Sequence, residues 1–531
     1  MYLSTVVATN ALLASANAAH LITDINQIQK YWGEMTPYAD NEEDYFGVDY
    51  VGLPEGCQVE SVQVLQRHAE RFQTTSVDDG ANDERFAEKV ANFTSTSSNA
   101  TFTGPLSFLN TYEYPMVENG LLTGVGAVTE FSAGVSFWNR YGRILYGASA
   151  GQLAYDPLYA NGTARPKITL RTTSQSRIEN SQINWALGFF GPSYATIPDP
   201  TFENVTAGFD VVIITEGGSE NNNTLASYYS CSNDNTDGIW NIGDYDIYTY
   251  LPRYLGSATK RLQKYAPSGF ELTYNDTYAM QSICAYEYAY IGMSAFCGLF
   301  TEDEWAGFES TLDMIYWYDF AYGNPTGRAQ GIGYVQELLA RLQHQYIPSS
   351  NTSVNSTLDD NPSTFPLDQK FYADFSHDDI IVSVLTAMGM DYFREAPSLT
   401  QYPPNPDRNF IVSRMTPFGA RLVTETIGCS SADPFPERTS KVHYTPTQYG
   451  YDSANATNKF IRMRLNHGIL PLDTIRGGAC KGRVDGMCEM DKFLESQSNA
   501  TAMANYDYVC FGNITIANIT SGEDYDGTLF E

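Results

Sequence analysis

Short apolar runs, rich in β-branched residues and bounded by turn formers, recur along the chain at residues 62–65, 168–170, 211–215, 371–375, 410–413 and 460–464. Runs of this length, apolar without alternation, predict strands buried on both faces. Several are followed by stretches of helical period, at 182–190 after the second run and at 380–388 after the fourth. Strand then helix, repeated, predicts an α/β fold with a mostly parallel sheet flanked by helices. Between residues 241 and 342 the pattern changes to long helical stretches, among them 248–263, 273–296 and 331–343. This predicts a second, mostly helical domain inserted into the first. The spacing assigns residues 20–180 and 345–531 to a discontinuous α/β domain and 181–344 to the insertion, with the strand near 211–215 belonging to or bordering the α/β domain. A further insertion is expected over 99–146. Residues 349–362, rich in Ser, Thr, Asn and Asp, predict an exposed glycosylated loop.

The chain has 531 residues, 43% of them hydrophobic and 14% aromatic, enough apolar material for large packed cores. With 31 basic against 62 acidic side chains, its formal charge is −31. That excludes a nucleic-acid binder working through a diffuse basic surface, because such proteins gain affinity by replacing phosphate counterions with Lys and Arg. No apolar run approaches the ~18 residues that span a bilayer, so no membrane partner is expected.

The eight cysteines, at 57, 231, 284, 297, 429, 480, 488 and 510, avoid the closely spaced pairs of zinc sites, and their even number fits disulfides. Asn-x-Ser/Thr sequons occur at Asn92, Asn99, Asn161, Asn204, Asn222, Asn275, Asn351, Asn355, Asn455, Asn499, Asn513 and Asn518, the pattern of a surface carrying N-linked glycans. The first nineteen residues are uncharged and end in Ala16-Asn17-Ala18-Ala19, which resembles a signal peptide cleaved after Ala18 or Ala19. Together these features predict a secreted glycoprotein, extracellular or held in the cell wall or periplasmic space.

Two segments carry chemistry. In the first, a strand runs into Arg67-His68-Ala69-Glu70-Arg71. The carboxyl ends of parallel strands are where α/β sheets build their sites. Two guanidinium groups around one imidazole repel each other unless an anion sits among them. Phosphate satisfies both forks while the uncharged imidazole nitrogen attacks phosphorus. In the second, the strand at 371–375 ends in Ser376-His377-Asp378-Asp379. There His377 can donate to a phosphate oxygen and Asp378 is placed to protonate a leaving alkoxide; the alternative is that Asp378 or Asp379 caps the helix that follows, and the two roles can coexist. The remaining histidines, His20, His344, His443 and His467, lack a comparable setting and read as structural.

These two segments resemble the RHGxR and SHD signatures of the histidine acid phosphatase family, which contains fungal phytases and yeast secreted acid phosphatases. Further blocks resemble the family in the same order: residues 86–89, the run from Leu170 to Arg177, residues 322–331 and Pro417 to Arg421. The resemblance implies a phosphoglycerate mutase-like sheet domain and hydrolysis of phosphate monoesters in acid, broad in substrate or preferring myo-inositol hexakisphosphate. It implies His68 as the nucleophile that becomes a phosphohistidine and Asp378 as proton donor. Arg67, Arg71, Arg177 and His377 would grip the phosphoryl oxygens, with Arg171 a competitor for the place given to Arg177. It implies no metal and no other cofactor, and the disulfides Cys57–Cys429, Cys231–Cys510, Cys284–Cys297 and Cys480–Cys488.

Two positions depart from the family pattern. Ala69 replaces its Gly, and Gln73 stands where a Pro is usual. A methyl group at 69 strains the loop if the backbone there needs positive φ and is harmless if it does not. The alternative is a catalytically weakened phosphatase-like glycoprotein with a binding or structural role. The acidity fits the leading reading. At −31 the chain repels phosphate esters near neutrality, and with an isoelectric point of about 4.4 it nears zero charge in acid.

Overall fold

The apolar run at 62–65 is the middle of a longer strand, β1 (Cys57–Arg67). Its period-2 faces feed two cores. Val62 and Val64 lie on one side with Phe137, Trp185 and Phe371, and Leu65 on the other with Leu422, Met463 and Leu465. The computed structural model describes residues 20–74, 81–97, 100–116, 119–191, 208–217, 222–440 and 450–514. The expected signal peptide, His443 and the sequons at Asn99, Asn204 and Asn518 lie outside them.

Seven more strands complete the sheet among the described residues: β2 (Ile168–Thr173), β3 (Phe209–Ile214), β4 (Phe371–Ser376), β5 (Arg421–Cys429), β6 (Asn458–Leu465), β7 (Gly468–Ile469) and β8 (Met487–Glu489). The order is β3-β2-β4-β1-β5-β6-β7, with β8 also on β6. The half from β3 to β1 is parallel, as the strand-helix alternation predicts. From β1 onward the pairing is antiparallel, so the α/β sheet is mixed. The run at 410–413 is not a strand: Val412–Met415 forms a helical turn, held by the Val412 amide donating to Asp313 (2.8 Å). The strand in this region is β5.

Helices cover both faces. Gly124–Phe137 packs on Ser176–Phe190 at backbone contact, because a Cβ at Gly134 would meet the Trp185 carbonyl and one at Gly188 the Phe131 carbonyl. On the other face Gly327–Gln343 lies against Asp378–Met388, again through a glycine, Gly331, set on the Ser383 carbonyl. Between Asn241 and Leu342 the described residues are mostly helical, with long helices Ile242–Gln263, Tyr274–Ile291 and Glu302–Phe320. Capping boxes start the last two: Thr273 with Asp276, and Thr301 with Glu304. The loop at 349–362 is exposed over part of its length, as expected, with Asn351 exposed and Asn355 half-buried, but not throughout. Thr352, Ser353, Val354 and Asp359 are buried in it, Ser353 and Val354 close to Gly333 and Asp359 reaching Arg171.

The four disulfides join Cys57 to Cys429, Cys231 to Cys510, Cys284 to Cys297 and Cys480 to Cys488. These are the pairs the family resemblance implies. No helix among the described residues is long and apolar enough to cross a membrane.

Candidate active site

The parallel register brings the two signature segments together. Arg67, the last residue of β1, pairs with Ser376, the last of β4, so the next residues, His68 and His377, leave the sheet side by side. Their ring centroids are 6.0 Å apart. His377 is extended and caps the helix Asp378–Met388, which turns Asp378 back toward β1.

His68 is 1% exposed. Its Nδ1 lies 2.9 Å from the carbonyl oxygen of Ala69, which makes Nδ1 the protonated nitrogen and leaves the lone pair on Nε2. Burial and the charges of Arg67, Arg177 and Arg71 hold the imidazole well below its ordinary pKa.

Asp378 receives Arg67 Nη2 (2.5 Å) and the Tyr316 hydroxyl (2.7 Å) on the same oxygen, Oδ2. Burial pushes its pKa up, but Arg67, Arg71 and the Tyr316 hydrogen bond outweigh it and hold the carboxyl at about 2. Arg67 is fixed in turn by donating Nη1 to the carbonyl oxygens of Glu34 and Thr416, the latter at 2.7 Å, with its guanidinium over the Phe418 ring. Asp379 accepts from the Ile380 amide (2.9 Å) and takes part in capping the helix.

Arg71 reaches Tyr286 from below, Nη1 to hydroxyl 3.4 Å, and Arg177 comes from the first turn of Ser176–Phe190. Burial and the nearby Arg71 lower the pKa of Arg177. Its Nε is buried without a hydrogen-bond partner, and Arg177 makes no ion pair among the described residues. Charges of one sign held this close and only partly in contact with water favour an anion among them. Arg171 stands elsewhere, tied to Glu337 (2.8 Å), Asp359 (3.5 Å) and Asp374 (3.8 Å).

A family model described as histidine phosphatase superfamily (branch 2) matches residues 58–466. The chain belongs to this superfamily. It is 30% identical over 483 residues to Phytase A of Aspergillus fumigatus, covering 90% of this chain and 89% of that one. To Phytase A of Aspergillus oryzae it is 28% identical over 491 residues, 90% of each chain. The structure of the phytase from D. castellii has the same fold, with a TM-score of 0.66 and 23% identity over 92% of this chain and 88% of that one. The protein is a histidine acid phosphatase, a phosphoric monoester hydrolase.

Within this phosphatase the two departures from the family pattern are accommodated. Ala69 is not among the residues of positive φ, so its methyl adds no backbone strain. The Ala69 amide donates to Ser181 Oγ (3.3 Å). Gln73 is buried and donates to the Met116 carbonyl (2.9 Å), while its own carbonyl accepts from the Gly120 amide (2.8 Å). The loop bearing Gly120 thus closes beside Arg177.

Three neighbours were not anticipated from the sequence. Tyr316, from the helical region, holds Asp378. Glu216 and Tyr228 hold His377: its Nε2 is 2.8 Å from Glu216 Oε1 and 3.1 Å from the Tyr228 hydroxyl. Glu216 stands two residues beyond β3, at the same end of the sheet as His68. The rule that α/β sites form at the carboxyl ends of parallel strands was the available signal for it.

Proposed function

We propose that this phosphatase works through His68 and Asp378 in two steps. In the first, Nε2 of His68 attacks phosphorus, the bond from phosphorus to the ester oxygen breaks, and Asp378 gives its proton to the departing alkoxide. In the second, water attacks the phosphohistidine with Asp378 taking a proton from it, which releases inorganic phosphate and restores the neutral ring. Arg71, Arg177 and His377 stabilise the charge that gathers on the phosphoryl oxygens, and Arg67 does so while fixing Asp378. The carrying observation is the Arg67–Asp378 pair at 2.5 Å, one residue from His68.

Asp378 is ionised when only the arginines face it. A phosphate ester entering among those arginines cancels their field, so the carboxyl gains affinity for a proton as substrate binds. In acid the ester monoanion supplies that proton. Acid activity therefore follows from the arrangement, and the isoelectric point of about 4.4 removes long-range repulsion of substrate in the same range.

Inositol hexakisphosphate is the substrate we infer, on the strength of relatives named Phytase A. Secretion is supported by the four disulfides and by the nine described sequons, none of which has a buried asparagine. The reading of a weakened, purely binding relative loses its motivation, since Ala69 and Gln73 fit without strain. Hydrolysis of p-nitrophenyl phosphate at pH 4 to 5 with EDTA present tests the activity. Comparing kcat/KM for inositol hexakisphosphate and p-nitrophenyl phosphate tests the substrate; a preference for the simple ester would reject it.

A further inference from the structure

The Glu216 carboxylate is enclosed by donors. Thr173 Oγ1 donates to its Oε1 (2.7 Å) and the Tyr228 hydroxyl to its Oε2 (3.3 Å), while the Glu216 amide donates to Ser174 Oγ (2.8 Å). Asn223 Nδ2 donates to Thr173 Oγ1 (2.9 Å), fixing that hydroxyl in turn. Burial raises the pKa of Glu216, but His377, Thr173 and Arg177 together bring it below the ordinary range. An ionised carboxylate only accepts. The hydrogen between Glu216 Oε1 and His377, 2.8 Å apart, therefore belongs to Nε2 of the ring.

That assignment has a consequence for phosphate. With Nε2–H directed to Glu216, only Nδ1 remains to meet a phosphoryl oxygen. In a neutral ring Nδ1 would carry a lone pair and repel that oxygen. Donation from Nδ1 requires the doubly protonated ring.

We propose that Glu216 is a positioning residue: it engages Nε2 of His377, so that His377 grips phosphate through Nδ1 and only as an imidazolium, whose charge Glu216 sustains. The proposal rests on the reading of His377 as a phosphate ligand. The other groups facing the ring are Tyr228 from the segment after β3, His68 from the end of β1, and Asp378 and Asp379 on its own helix, with Arg177 acting on Glu216 and Tyr228. Of these, Glu216 is the carboxylate in direct contact with Nε2. Carboxylates placed behind a working histidine in this manner fix its tautomer and its basicity.

The test is the inhibition constant of inorganic phosphate, measured against p-nitrophenyl phosphate from pH 4 to 7 in the full-length protein and in Glu216→Gln. Phosphate ionises identically in both experiments, so the ratio of the two constants reports on the enzyme alone. The carboxamide still accepts from Nε2–H but carries no charge. The ratio is expected to stay near one at pH 4 and to rise to about tenfold by pH 6, because the uncharged carboxamide does not balance a positive charge on the ring it faces. A ratio that is constant across the range overturns the proposal. If Glu216→Gln does not fold, Glu216→Asp, with the charge one methylene further from Nε2, is expected to give the same trend at smaller amplitude, and a flat ratio there overturns it equally. An inactive parent, or His68→Ala that still turns over, would instead break the phosphatase reading on which the proposal rests.

Discussion

Two groups of arginines packed against the sheet, one midway along the parallel strands and one at their carboxyl ends, do opposite things. Under the sheet, Arg171 and Arg341 meet Glu337, Asp359 and Asp374, with Arg341 Nη1 2.6 Å from Asp374. At the carboxyl ends, Arg67 has Asp378, and Arg177 pairs with no carboxylate among the described residues. Arg171 and Arg177 are six residues apart in the chain, and both are candidates when only the sequence is read. What separates them is their complement of acids. A buried arginine surrounded by carboxylates is a structural tie, whereas one left with its charge uncompensated is made for an anion that comes and goes.

Substitutions sharpen that contrast. The largest effect is expected from His68→Ala, which removes the proposed nucleophile between the cations; kcat should fall by about 10⁴-fold or more with the fold intact. Circular dichroism alongside a p-nitrophenyl phosphate assay checks both halves of that statement. Arg177→Ala should lower kcat/KM by about 10²- to 10³-fold while leaving thermal stability equal or higher, since it relieves repulsion with Arg71. Arg171→Ala should do the reverse, costing about 3–5 kcal/mol of stability by stranding buried carboxylates, with kcat of the folded fraction close to the parent. If the two variants behave alike, the distinction drawn here is wrong.

Buried carboxyls across the molecule divide in the same way in their pH response, according to whether arginines outweigh burial. Burial raises Asp359 to about 9, and it raises Asp234 and Asp313 to about 7. A carboxyl titrating higher in the folded than in the unfolded chain contributes fully below its unfolded value, and that contribution disappears as pH rises through 7 to 9. Asp378 and Glu425, both at about 2 because arginines outweigh burial, contribute above the ordinary carboxylate range and lose it as pH falls toward 2. Melting temperature is therefore expected to peak between about pH 4 and 6 and to decline by several degrees toward pH 8. A melting temperature still rising between pH 6 and 8 would contradict this. The smallest effect should come from Ala69→Gly, which restores the family residue where φ is not positive; it should cost up to about 1 kcal/mol through added chain freedom and leave kcat nearly unchanged.

How far the sequence foretold this architecture depends on whether a residue's surroundings are local. β1 and β4 and the residues beyond them were legible, because their apolar runs and signature residues adjoin. The apolar pattern predicts a strand at 410–413, where the chain makes a helical turn, and gives no signal for β5. Arg421 and Glu425 give β5 a polar look, yet both are buried, Glu425 against Arg462 Nε (2.6 Å), Arg464 Nε (3.0 Å) and the Tyr141 hydroxyl (2.8 Å). The loop at 349–362 read as exposed for the same reason: Asp359 is polar in sequence but answers an arginine nearly two hundred positions earlier. Glu216 and Tyr316 belong to the site through tertiary contact, and no short motif marks them.

The bond between Cys57 and Cys429 clamps the start of β1 to the end of β5 across a separation of 372 residues. His68, Arg71, Arg177, Glu216, Tyr316, His377 and Asp378 all fall inside the ring it closes. A protease that severs the chain once anywhere between those cysteines leaves both fragments tethered, so an enzyme nicked in a hostile medium would migrate as two pieces only after reduction, with its working parts still on one covalent body.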